Sequence, residues 1–236
     1  MTALYMYGYY YDPMYFLIII SAIIALFAQF LVSSTFKKYS KVRNVKGMTG
    51  AEVAEELLRS QGINDVRIQR VSGSLTDHYN PKNKTLNLSE TVYDSASVSA
   101  ISVAAHETGH AIQHAYGYGP LIFRSALVPF ANFGSSLSWI FIIAGLIFGS
   151  AYILVDIGII LFSLAVLFQL VTLPVEFNAS ARALQLLNSQ GYLYQQENKQ
   201  AAKVLRAAAL TYVAAAATAI LQLLRLIYLF GGRNRD

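Results

Sequence analysis

His106-Glu107-Thr108-Gly109-His110 places two imidazoles four residues apart with a carboxylate beside the first. On a helix that spacing turns a side chain by only about 40° and raises it about 6 Å, so both rings leave one face and can reach one ion. Glu107 stands where it can hold a water on that ion, the H-E-x-x-H arrangement of a metal-assisted hydrolase. Zinc suits imidazole and carboxylate donors. Such a metal brings the pKa of its water to about 7, and the glutamate takes the proton as a carbonyl is attacked. The plain alternative is a helix with ordinary polar side chains. The flanks Val103, Ala104, Ala105, Ala111 and Ile112 argue otherwise, because a largely buried helix cannot leave two histidines and a glutamate without partners.

A catalytic zinc usually takes three protein ligands. The third histidine of the extended H-E-x-x-H-x-x-G-x-x-H pattern would fall on Tyr116, which excludes it. His114 is turned about 80° from His106, so it reads instead as an interfacial or hydrogen-bonded histidine. The chain has no cysteine, which excludes thiolate ligands and disulfides. Among carboxylates Glu176 stands out, opening a helix directly after an apolar span. Two preceding spans fold back as a hairpin and return it to the membrane face of the histidines. The competing reading is a glutamate held at a helix N-terminus by the dipole.

The elements that must position these groups are mostly apolar. Of 236 residues, 55% are hydrophobic and 13% charged, the composition of a membrane protein. The net charge of +5 gathers beside hydrophobic stretches, so it reads as topology-setting and lipid-facing rather than nucleic-acid binding. The first fifteen residues are rich in tyrosine, as at a membrane interface. A first transmembrane helix is expected over 15–36, followed by Lys37, Lys38, Lys41, Arg43 and Lys46. That basic cluster places the region after the helix in the cytoplasm. An α+β region over 37–122 should contain a helix capped at Thr49 by Glu52, a strand over Val66–Val71, a turn over Tyr79–Lys84 and the H-E-x-x-H helix. A strand there either packs as a simple hairpin or offers an edge to an extended substrate. Further transmembrane helices are expected over 125–149 and 156–174, a separate helix carrying the third ligand over 175–200, and a fourth apolar helix over 201–230.

Three stretches, His106-Glu-Thr-Gly-His-Ala-Ile-Gln113, Pro174-Val-Glu-Phe-Asn-Ala-Ser-Ala-Arg-Ala-Leu184 and Ala207-Ala-Ala-Leu-Thr-Tyr-Val-Ala214, resemble the YugP-like neutral zinc metallopeptidases of bacterial membranes. Leu75-Thr-Asp-His-Tyr-Asn-Pro81 adds to the resemblance, which runs from about Tyr10 to the last helix. It implies a membrane-integrated peptidase with zinc on His106, His110 and Glu176 and with Glu107 as general base. HtpX-type and CAAX-prenyl proteases are more distantly similar; they carry an aspartate four residues after the glutamate ligand. Ser180 stands there instead. Asn178, Ser180 and Asp77 are the candidates to substitute as the partner of a ligand histidine. His78, Tyr79 and Arg182 are oxyanion candidates by residue type alone.

The expectation is a mainly α polytopic membrane protein with about four hydrophobic helices and a small α+β zinc-peptidase domain. It would reside in the bacterial cell membrane, multi-pass, with its site on the cytoplasmic side. It would carry one Zn2+ per chain and act as an endopeptidase on membrane or membrane-proximal proteins. Its partners are the lipid bilayer and a polypeptide substrate, membrane-anchored in one reading, with a homo-oligomer or membrane-protein partner left open and nucleic acid excluded. The alternative is a non-catalytic, zinc-stapled membrane scaffold, which has no use for Glu107. A transporter ranks last, since strongly polar side chains within the spans are few, with Asn132, Gln169 and Gln222 the ones that stand out.

Overall fold

The structure is a computed structural model, and it describes residues 14–148 and 152–230. The tyrosine-rich start, the turn near 150 and the basic tail lie outside those residues. In chain order the elements are α1 (Tyr15–Tyr39), α2 (Gly50–Ser60), β1 (Arg67–Val71), β2 (His78–Asn80), β3 (Thr85–Ser89) and α3 (Glu90–Tyr93). They continue with α4 (Val98–Ala115), α5 (Gly119–Ile147), α6 (Tyr152–Ser189) and α7 (Gln195–Phe230). The protein is mainly helical, and α1, α5, α6 and α7 are long and apolar enough to cross a membrane.

Two compact units emerge. One comprises 1–27, 126–170 and 213–236, of which the described part is apolar helix. Leu26 and Phe27 are more than half exposed there, as side chains facing lipid are. Its helices meet at small residues: a Cβ on Gly134 would lie 2.6 Å from the Leu161 carbonyl oxygen, and one on Gly158 2.8 Å from that of Ser138. Glycine lets these backbones approach where lipid supplies no hydrophobic drive for association. Pro129 lies inside α5 without ending it.

The other unit, 28–125 and 171–212, is built around α4. Thr49 and Glu52 close both halves of the capping box and start α2. Its buried face (Val53, Leu57) joins Ile101 and Ala105 of α4, Ala183 and Leu187 of α6, and Leu205 of α7 in one core. The sheet order is β1-β3-β2, with β1 parallel and β2 antiparallel to a wholly buried β3. Tyr79 and Asn80, expected in a turn, instead pair with Leu86 and Thr85. The reversal is confined to 81–84, where Lys84 takes the left-handed backbone (φ 51°).

One boundary is corrected. The expected transmembrane helix 156–174 and ligand helix 175–200 do not form two elements: α6 runs unbroken through Pro174 to Ser189. Pro174 is exposed, while Val175, Glu176, Ala179, Ala183 and Leu187 are buried, so packing holds the helix where the proline removes one backbone donor. The chain then turns at Gly191 (φ 65°), and α7 starts at Gln195 rather than 201. Glu197 sets that start, its two oxygens accepting from the Tyr194 and Val45 amides, each at 2.8 Å. The first of these is the glutamate half of a capping box.

Candidate metal centre

The local sequence of α4 explains why histidines can sit inside it. Ser97 caps the helix by accepting from the Ala100 amide, and Ser102 and Thr108 return their hydroxyls to carbonyls one turn back. The small residues Ala104, Ala105 and Gly109 let neighbours close in. Gly109 is a point of close approach, because a Cβ there would lie 2.7 Å from the Ala179 carbonyl oxygen of α6. That contact brings the H-E-x-x-H helix against the turn carrying Glu176.

His106, His110 and Glu176 are 7%, 9% and 2% exposed. Their donor atoms all lie within 4.8 Å of one another, a group that could hold a metal ion. Both ring Nε2 atoms face the same carboxylate oxygen, Glu176 Oε2, at 3.2 Å from His106 and 3.4 Å from His110. Each Nδ1 has a neutral partner: Ser180 Oγ at 3.1 Å from His106, and Gln113 Oε1 at 3.0 Å from His110. Glu107, half-buried, accepts the Tyr79 amide at 3.0 Å. Two imidazoles with Nδ1 occupied and Nε2 turned inward, with one carboxylate between them, are a donor set that fits zinc.

A family model described as "Putative neutral zinc metallopeptidase" matches residues 14–231. The chain belongs to that family. "Putative membrane protease YugP" of Bacillus subtilis (strain 168) is 49% identical over 222 residues, covering 94% of this chain and 98% of the relative. No solved structure matches the chain. The protein is thus a membrane-associated member of a zinc metallopeptidase family, as the motifs implied.

The remaining residues of this metallopeptidase singled out by sequence divide between the centre and its surroundings. Ser180 touches His106. Asn178 reaches His110 only through Gln113, whose Nε2 donates to Asn178 Oδ1 at 3.0 Å and to the Val175 carbonyl at 2.8 Å. Asp77 is directed elsewhere, accepting from the Ser89 amide (2.7 Å) and hydroxyl (2.9 Å). Burial lifts its carboxyl above the usual range, opposed by the Ser89 donors and reinforced by the nearby charge of Glu107. His78 is exposed and bonds with Asn87 and the Thr76 carbonyl. The Tyr79 hydroxyl shares a hydrogen bond with His114 Nδ1 at 2.8 Å, which gives His114 a hydrogen-bonded role away from the three donors. Burial pushes the Tyr79 phenol up to about 12, with the charge of Asp65 adding to it. Arg182 donates to Asn178 Oδ1 at 2.7 Å and lies over the Tyr118 ring.

Sequence reasoning gave no role to three groups. Gln113 is fully buried on the face of His110. Arg124 places Nη1 3.8 Å from Glu176 Oε1. Tyr212 turns its hydroxyl toward Glu176. Gln113 did carry a signal, as an amide three residues after a histidine on a buried apolar helix. Arg124 and Tyr212 come together with Glu176 only through tertiary packing.

Proposed function

We propose that this metallopeptidase is a multi-pass, zinc-dependent endopeptidase that cuts membrane or membrane-proximal polypeptides at the cytoplasmic face. His106, His110 and Glu176 hold one zinc per chain, and Glu107 is the general base. The observation that carries this reading is the convergence of two imidazole Nε2 atoms on one buried carboxylate, with Glu107 half-buried next to them. The membrane preference rests on the four apolar helices and on the "membrane protease" in the relative's name.

When bound, zinc would polarise the scissile carbonyl and ease the ionisation of water near neutral pH. Glu107 takes the proton of the attacking water as the new C–O bond forms. It then returns that proton to the departing amine nitrogen as the C–N bond breaks. In the substrate-free chain the Tyr79 amide donates to the Glu107 carboxylate. Arg124 and Tyr212, the cation and hydroxyl nearest Glu176, are better placed to stabilise the oxyanion than His78, Tyr79 or Arg182, whose polar atoms are engaged elsewhere.

Metal content of the detergent-purified protein is the test. Wild type should carry close to one zinc per chain, and His110→Ala and Glu176→Ala should each lose or weaken it. Zinc lost in the histidine variant alone would remove Glu176 from the ligand set. A wild type that takes up no zinc when zinc is supplied would sink the reading.

A further inference from the structure

The polar contacts behind His110 form one directed chain. Arg182 Nε donates to Asn178 Oδ1 (2.7 Å), and Gln113 Nε2 donates to the same oxygen (3.0 Å). The Gln113 amide group also donates to the Val175 carbonyl (2.8 Å). A primary amide has two N–H donors and one carbonyl acceptor. With both donors committed, Gln113 can present only Oε1 to His110 Nδ1, 3.0 Å away. The shared proton must therefore come from the ring. With Nδ1–H committed to Gln113, a neutral His110 ring carries its lone pair on Nε2, the atom that faces Glu176.

We propose that Arg182, Asn178 and Gln113 act as a positioning relay that selects the metal-ready tautomer and orientation of His110. The inference rests on the zinc site proposed for this chain, and each link of the relay leaves the next no choice. Arg182 has no acceptor, so Asn178 must offer its oxygen; Asn178 offers an oxygen, so Gln113 must offer its amide; and that leaves the carbonyl for the histidine. Gln113 is fully buried, so water cannot stand in for a lost partner. Ser180, by contrast, can donate or accept, so His106 is oriented by a group that imposes no tautomer. The two histidines thus differ. One is held by a rotatable hydroxyl, the other by a chain that starts from a permanent cation.

The test compares zinc affinity, read by competition with a chromogenic chelator, with the visible spectrum of the cobalt(II)-substituted protein. Both are measured on the full chain in detergent. Gln113→Leu should weaken zinc about 10–100-fold and alter the cobalt spectrum, the range seen when the partner of a ligand histidine is removed, and Asn178→Leu should move both readouts the same way by a smaller factor. Asn178→Asp keeps an acceptor for both donors and should restore affinity and spectrum to near the wild-type values. A role confined to packing predicts the reverse order, with leucine tolerated and aspartate not. Wild-type affinity and spectrum in both leucine variants would overturn the relay while leaving the zinc site standing. Failure of the wild type to bind zinc would overturn both.

Discussion

Glu107 differs from His106 and His110 in being half-buried, and it accepts its hydrogen bond from the Tyr79 amide rather than from either ring. A general base is worth about 10²–10⁴ in rate, so Glu107→Gln should cut peptide hydrolysis by that much or more. The metal should be unaffected, because the amide leaves all three donors in place. Zinc stoichiometry measured beside activity checks this; loss of zinc would mean that Glu107 belongs to the site's framework. The relation of His106, Glu107 and His110 on which this proposed division of labour rests is legible in the sequence, since the three are local and a helix of known pitch fixes how they stand. Glu176 could be argued only through topology. The partners of the rings were harder still. Ser180 was foreseeable as the occupant of an aspartate position, whereas Gln113 acquires meaning only once α6 supplies Val175 and Asn178 to hold its amide.

At the scale of elements, the contact between α4 and α6 depends on the missing side chain of Gly109. A methyl there would meet the Ala179 carbonyl oxygen at 2.7 Å, and that oxygen belongs to helical backbone that yields only by moving the whole helix. Gly109→Ala should therefore cost about 1–3 kcal/mol, as overpacking does, and lower zinc affinity by drawing Glu176 from the histidines. Thermal unfolding with and without a chelator separates the two effects. Unchanged zinc affinity would show that the helices can slide without disturbing the site. The capping box at Thr49 and Glu52 was readable because capping is local. The continuity of α6 was not. The apolar run stops at Leu173 and Pro174 comes next, both ordinary signs of an ending, but the residues beyond are buried on a face that only the folded unit supplies. At 38 residues, α6 is about 57 Å long, nearly twice what the bilayer core requires.

For the whole molecule, the proposed orientation rests on the basic residues in and just beyond the last turn of α1. Lys37, Lys38 and Lys41 are exposed, as charges that set topology should be. A cysteine introduced at Lys41 should react with an impermeant maleimide only from the cytoplasmic side, and the absence of native cysteine leaves no background. Labelling from outside alone would reverse the proposed topology. The apolar helices and soluble elements could be told apart from composition, whereas the order β1-β3-β2 could not, because a crossover leaves no mark on the strands it reorders. That order puts β2 at a sheet margin, and there the Tyr79 amide is already taken by Glu107. An extended chain joining that margin would have to claim the amide and, in doing so, release the carboxylate. Docking and unmasking the base would then be one event.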